Sequence, residues 1–246
     1  MDKALYLAMT GAVHNNRAQA LHGNNLANAG TTGFRADFAQ ARAMQVFGPT
    51  LPSRAYALTE RPGTDLGKGS IDATGRDLDV AIAGDGFLTV QSADGSEGYT
   101  RAGNLTIDHD GTLRDGHGRA VLGDGGPIVL PPVESVTIGE DGTISIRPVG
   151  QAATTLVQQG RLKLVNPPAE AITKGGDGLF RQRDGTIAVT APAVRVTSGA
   201  LETSNVNAVS EMVDILALAR QFEVQIKMMK TSEEDDQVAA RILQRS

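Results

Sequence analysis

The sequence predicts an α+β protein, with an N-terminal and a C-terminal α-helix packed as a pair and flanking a central, mainly antiparallel β domain. Three observations lead there. After Gly199 neither Gly nor Pro occurs as far as Ser246, so nothing interrupts a helix once it has begun. From Ala4 to about Asn28 apolar and small residues recur at helical spacing. Between these ends, eight Asp-Gly dipeptides fall within residues 77–197 and none outside. Asp-Gly between alternating apolar residues is a strong hairpin sign, because tight hairpin turns demand positive φ.

Taken in order, Leu5, Met9, Ala12, Gln19 and Leu26 lie near one face of the first helix, with Ala8, Ala18 and Ala20 beside them. Such a small-residue stripe suits close approach of a second helix. Gly11 and Gly23 cost some helix propensity. The run from Asn24 to Phe34 ends the helix with side chains that bond backbone groups and with glycines that accept left-handed conformations. Residues 35–76, with Pro49, Pro52, Pro62 and the polar run 61–65, read as an extended linker with little regular structure. Strand candidates then sit between the Asp-Gly turns, at 78–83, 87–91, 105–108, 128–130, 136–138, 143–146, 160–165, 186–189 and 194–197.

The last stretch, 200–246, reads as one helix. Asn205 or Asn207 can cap it, and Glu211 and Asp214 stand early, at the positive end of the helix dipole. Val209, Met212, Leu216, Ala219, Phe222, Ile226 and Met229 follow at spacings of three and four, which forms one stripe. The chain therefore divides at 1–34, 35–76, 77–199 and 200–246. A lone helix is marginal in water, and the ends of a chain commonly lie close together. Both arms are expected to pack on each other and on neighbouring molecules.

Composition narrows the function. A formal net charge of -5 argues against a nucleic-acid partner. The apolar run 213–219 is interrupted by Asp214 and far too short to span a membrane. The first residues contain no signal-peptide apolar core, so no cleaved Sec leader is expected. Cysteine is absent, which removes disulfides, thiolate metal sites and cysteine nucleophiles. Aromatics make up 4% with no Trp, so the cores are built from small and branched aliphatics.

Residues 63–69 have the look of a phosphate loop, but the glycines stand one residue too close and Gly follows Lys68 where Ser or Thr is needed. Neither G-x-S-x-G nor H-E-x-x-H occurs. His14 and His22 lie on the first helix, and His109 and His117 in turns. Asp108, Asp110 and Asp115 with His109 could gather a cation, yet they read as solvated hairpin ends. Phe87 and Tyr99 read as core. Arg101 could hold an acidic substrate but reads better as the partner of a carboxylate on a neighbouring strand. The acidic run Glu233-Glu234-Asp235-Asp236 reads as a solvated helix face or a subunit contact. No catalytic residue, cofactor or metal is expected.

Three motifs, in order, carry a family resemblance that spans nearly the whole chain. Asn24-Asn25-Leu26-Ala27-Asn28 followed by Thr32-Gly33-Phe34 resembles the N-terminal signature of the bacterial flagellar rod and hook proteins. Leu78-Asp79-Val80-Ala81-Ile82 with Gly84-Asp85-Gly86-Phe87, then Tyr99-Thr100-Arg101-Ala102-Gly103, resembles their central motif, with Leu88 where the family has a second Phe. Leu201-Glu202-Thr203-Ser204-Asn205-Val206-Asn207, with Glu211-Met212-Val213 and Arg220-Gln221-Phe222-Glu223, is similar to their closing signature. Within the family the opening residues and Arg76-Asp77-Leu78-Asp79-Val80 are most similar to the proximal-rod members. The distal-rod members, with a longer insertion and a Tyr in place of Phe222, are the near alternative.

The resemblance implies a structural subunit and no enzyme. It implies export by the flagellar type III apparatus without Sec cleavage, and a place in the periplasmic rod of the basal body among proximal and distal rod proteins. The residues expected to touch other subunits are Leu5, Met9, Ala12, Asn24, Asn25, Leu26, Asn28, Gly33 and Phe34, with Asn205, Asn207, Met212, Leu216, Phe222, Ile226 and Met229. A secreted cell-wall-binding or hydrolytic β domain is a second class, weakened because its carboxylates all sit beside turn glycines with nothing to raise a pKa. A coiled-coil adhesin is a third, and the stripes do not keep a heptad register.

Overall fold

The computed structural model describes residues 4–38, 41–45, 55–59, 63–150 and 156–243. Met1–Lys3 of the opening, with Pro49, Pro52, Arg61 and Pro62, lie outside the described residues. The chain forms two compact units, one of residues 1–29, 36–65 and 206–246, the other of 30–35 and 66–205.

The first unit is built on α1 (Ala4–Ala27) and α2 (Ala208–Leu243), which pack along each other. Ala8 and Ala12 are buried, and a Cβ added at Gly11 would lie 2.5 Å from Nε2 of Gln225. The small-residue stripe thus brings the helices close. Asn28 closes α1, its side-chain amide donating to the Asn24 carbonyl at 2.9 Å. Asn207 is the cap of α2, where its Oδ1 accepts from the Val209 and Ser210 amides at 3.1 and 3.2 Å. That shields two of the amide groups a helix start leaves unpaired.

Two expectations need correction in this part of the chain. Residues 35–76 are not a linker without regular structure. Asp37–Phe38 pairs with Gly63–Thr64 and Ala41–Gln45 with Ala55–Thr59, both antiparallel. Alternation of small and large residues in 55–59 carries the strand signal, and prolines between the paired segments obscured it. The last helix also begins later than residue 200, because Ala200–Glu202 is a strand paired with Ile71–Ala73 in the second unit.

That second unit is the antiparallel β domain. Its largest sheet has the order Leu164–Val165, Phe87–Gln91, Glu97–Thr100, Phe180–Gln182, Ile172–Lys174. A three-stranded sheet joins Val133–Ile138, Thr143–Pro148 and Val157–Arg161, and Val80–Ala83 pairs with Arg195–Ser198. Ile144 and Ile146 are buried on either side of Ser145, as a half-buried strand requires. The main core gathers aliphatics such as Val90, Leu105, Val121, Leu162 and Leu179, and a smaller one holds Phe87, Tyr99, Val165 and Phe180.

Six of the eight Asp-Gly turns are made as the sequence implies, while after Asp115 and Asp124 the positive φ falls at Gly118 and Gly126 instead. Gly86, Gly95, Gly111, Gly142, Gly178 and Gly185 all have positive φ. At Asp94, Asp141, Asp177 and Asp184 the carboxylate also accepts the amide of the second residue on, at 2.9 to 3.2 Å. These Asx contacts reinforce the turns. Two strand candidates fail for want of a continuous partner. In 186–189 the Ala188 amide donates to the Tyr99 hydroxyl oxygen at 2.7 Å. In 128–130 the Ile128 amide donates to Val121 and the Leu130 amide to Gly111, so no ladder forms.

Candidate functional site

The three motifs singled out above converge within the β unit on one buried ion cluster. Arg101 follows the strand Glu97–Thr100, Glu202 ends the strand Ala200–Glu202, and Arg35 comes directly after Gly33-Phe34. Glu202 Oε1 accepts from Arg35 Nη2 and Oε2 from Arg101 Nε, each at 2.5 Å. Arg35 and Glu202 are each 1% exposed and Arg101 4%. Charges this deep persist only when paired and hydrogen-bonded. Glu202 also accepts the Gly69 amide at 3.0 Å. Arg101 donates to the carbonyls of Gly86 at 2.8 Å, Gly84 at 2.9 Å and Ile82 at 3.3 Å, which closes the turn of the central motif. Burial is the main influence on the Arg101 guanidinium and pulls its pKa down, while Glu202 opposes it.

The signature glycine and asparagine act around this cluster. Gly33 has φ +66°, and a Cβ there would lie 2.3 Å from the carbonyl carbon of Arg101, so both conformation and space require glycine. Its amide donates to the Glu202 carbonyl at 2.8 Å. Asn205 donates its side-chain amide to the Gly67 carbonyl at 3.0 Å and its backbone amide to Phe34 at 3.3 Å. Phe34 is half-buried and lies under the Lys174 ammonium, 3.9 Å from its ring centroid, a cation–π contact. The segments 30–35 and 200–205 are thereby bound into the β unit.

In the helical unit the remaining motif residues divide into two groups. Asn25, 1% exposed, exchanges hydrogen bonds with the Asp37 backbone at 2.8 and 2.9 Å and donates to Glu211 Oε1 at 3.2 Å. His22 Nδ1 lies 2.5 Å from Glu211 Oε2. Residues of the opening and closing motifs therefore meet across α1 and α2. Asn24 and Asn207 are exposed, and Leu26 and Asn28 half-buried.

The apolar residues of α2 lie on more than one face. Ile215, Leu218, Phe222 and Met229 are half-buried, whereas Val209, Met212, Leu216 and Ile226 are 71, 56, 62 and 44% exposed. On α1, Leu5 and Met9 are also exposed, at 41 and 49%. Among residues 8–38 and 206–238 of this unit, Ala8 and Ala12 are the only buried apolar side chains.

The other candidates are occupied locally. Asp115 accepts from the backbone amides of His117 and Arg119, both at 2.9 Å, and from Arg119 Nε at 2.8 Å. Asp108, His109 and Asp110 bring ligand atoms within 4.8 Å of one another. Asp108 is already held by His109 at 2.8 Å and Arg114 at 2.7 Å. The His109 contact is the first cause of a carboxyl pKa lowered to about 2. Lys68 pairs with Asp85 at 2.9 Å.

Sequence reasoning anticipated a carboxylate partner for Arg101 on another strand but missed Arg35 as a member of the buried cluster and His22 and Glu211 as members of a half-buried contact. Glu211 stands in a quoted motif and Arg35 directly follows one, which was the available signal, whereas His22 lies outside them.

Comparisons with known proteins accord with this geometry. Residues 81–146 match the family model described as the flagellar hook protein FlgE/F/G D1 domain, and residues 197–242 match the flagellar basal body rod FlgEFG protein C-terminal model. The chain is 43% identical to the flagellar basal-body rod protein FlgF of Escherichia coli (strain K12) and 42% identical to that of Salmonella typhimurium, each over 100% of both chains. To the flagellar basal-body rod protein FlgG of Bacillus subtilis it is 33% identical, over 95% of this chain and 96% of that one.

Proposed function

The chain belongs to the flagellar basal-body rod protein family, with greater similarity to the FlgF proteins of Escherichia coli and Salmonella typhimurium than to the FlgG of Bacillus subtilis, and from that premise we propose that it joins the rod through its terminal helices. It is a structural subunit of the flagellar basal body, not an enzyme. In the proposed mechanism α1 and α2 act as a pair whose open apolar side chains are covered by the helices of neighbouring proximal and distal rod subunits. Such contacts are heterologous and do not close, which generates a helical shaft that links motor to hook. Export through the flagellar type III apparatus and assembly in the periplasm belong to the same reading.

The observation that carries it is the open face of α2. Val209, Met212, Leu216 and Ile226 stand exposed on a helix of 36 residues, in a unit whose residues 8–38 and 206–238 bury no apolar side chain larger than alanine. Each such side chain, once covered, contributes about 1.5–3 kcal/mol. Leu216→Asp tests it. A carboxylate on that face is left without a partner when buried, so the variant should be absent from isolated basal bodies, and cells relying on it should not swim. The purified variant should keep the β-sheet circular dichroism of the parent. A rod that incorporates Leu216→Asp at the parent level would refute the mechanism.

A further inference from the structure

Asp-Gly is also a dipeptide prone to covalent rearrangement, because glycine leaves its own amide nitrogen unshielded beside the aspartyl carboxyl group. Attack needs that nitrogen and that carboxyl both free, and the eight copies in this chain differ in this respect. The amides of Gly95, Gly111, Gly142, Gly178 and Gly185 each donate to the carbonyl three residues before, at 2.9 to 3.2 Å. Asp85 is held by Lys68 at 2.9 Å. Asp115 is buried, its oxygens taken by the amides of His117 and Arg119 and by Arg119 Nε. Hydrogen bonds from Lys68, Ser96, Thr143, Arg181 and the Thr186 amide lower the carboxyl pKa of Asp85, Asp94, Asp141, Asp177 and Asp184 respectively. Such groups stay ionised, and a carboxylate is a poorer electrophile than the acid. Asp124 and Gly125 stand apart. Both are exposed, the Asp124 carboxylate has no hydrogen-bond or ion-pair partner among the described residues, and the Gly125 amide donates to no acceptor there.

We propose that Asp124-Gly125 is a site of spontaneous covalent modification, at which the folded chain forms isoaspartate. The Gly125 nitrogen bonds to Cγ of the protonated Asp124 side chain and gives up its proton as the carboxyl hydroxyl leaves. One water is lost and a succinimide ring closes. Water then adds at the main-chain carbonyl carbon of Asp124, and the bond from that carbon to the Gly125 nitrogen breaks. The backbone thereafter runs through Cγ, the former main-chain carbonyl carbon carries the new carboxylate, and no electrons have been gained or lost. The added methylene falls in the turn between Gly123 and Gly126, which pair with each other, beside the buried Leu122 and Ile128. The reaction needs no second chain, so it belongs to the isolated molecule and marks its age.

The test incubates the purified full chain at neutral pH, one sample folded and one unfolded in urea. Both are then digested, and the aspartyl and isoaspartyl forms of each Asp-Gly peptide are separated and quantified by mass spectrometry. In the folded chain isoaspartate should form at Asp124 about tenfold faster than at any other Asp-Gly pair, since each of the others must first give up a hydrogen bond or ion pair. In urea, where all eight pairs are released, the rates should converge. Asp124→Glu should abolish the product at this turn, because closing the larger ring is slower, and should leave the β-sheet circular dichroism unchanged. No isoaspartate at Asp124 in the folded chain, or its earlier appearance at another Asp-Gly pair, overturns the site. The same lead for Asp124 in urea overturns the role given to the fold.

Discussion

Glu202 is the single carboxylate joining Arg35 and Arg101, and all three are nearly inaccessible to water. Removing its charge leaves two buried guanidiniums with neutral acceptors only. Loss of one partner from a buried ion network costs about 3–5 kcal/mol, so Glu202→Gln should lower the stability of the β unit by that order in urea unfolding. A loss below about 1 kcal/mol would mean that the cluster is solvated. A second residue-scale prediction concerns Asp177, whose two oxygens take Arg181 Nη1 at 2.9 Å and Nη2 at 2.6 Å. The guanidinium is the first cause of a carboxyl pKa lowered from 3.8 to about 2. A folded-state pKa below the unfolded one stabilises above the ordinary carboxylate range and is lost as pH falls toward the folded value. The melting temperature of the parent should therefore exceed that of Asp177→Asn at about pH 6, and the gap should close toward about pH 2. A gap independent of pH would show that the amide change acts by shape. The sequence disclosed Arg101 as a paired cation because it lay beside a turn among strand residues. Arg35 was not disclosed, since a charged residue carries no pattern that separates a buried site from a solvated one.

At the scale of elements, legibility followed the strength of local signals. Hairpins at Asp94, Asp110, Asp141 and Asp177 could be read because aspartate and glycine satisfy the turn from within four residues. Helix α1 could be read from its spacing, but its packing face only in part: Ala8 and Ala12 are buried, Leu5 and Met9 of the expected stripe are exposed, and Gly11, which counted only as a cost to helix propensity, meets Gln225. Asn207 was among the caps read from the sequence, but the strand ahead of α2 was missed because Leu201–Asn207 contains no breaker, and the pairing that makes Ala200–Glu202 a strand comes from Ile71–Ala73, far away in sequence. A short strand so determined leaves almost no local trace. The single stripe assigned to α2 was another limit of reading one helix alone. Phe222 and Met229 lie with Ile215 and Leu218 in half-buried positions, while Met212, Leu216 and Ile226 are open. Periodicity identifies apolar positions but does not say which of them the same chain covers and which await another molecule. A helix apolar on two faces is what a subunit needs if it pairs within itself and also with neighbours.

For the molecule as a whole, the two units differ in how much core they own. Both hydrophobic clusters lie entirely within residues 66–196, and the ion cluster adds Arg35 and Glu202 to the same unit. Over residues 8–38 and 206–238 the helical unit buries no apolar side chain larger than alanine. Since apolar burial supplies most of the favourable free energy of folding, the β unit should fold without the arms, whereas the arms should gain their stability from assembly. A fragment spanning residues 30–205 keeps Arg35, Arg101 and Glu202 together with every strand of the β unit. It should unfold in one cooperative transition, with coincident loss of near-ultraviolet and far-ultraviolet circular dichroism, and Glu202→Gln should destabilise it as much as it does the full chain. The same fragment should be missing from basal bodies, because the apolar faces proposed to join subunits have been removed. A fragment without a cooperative transition would mean that the helices supply folding energy to the β unit. A fragment that enters the rod would place the principal subunit contacts on the β unit instead of the terminal helices.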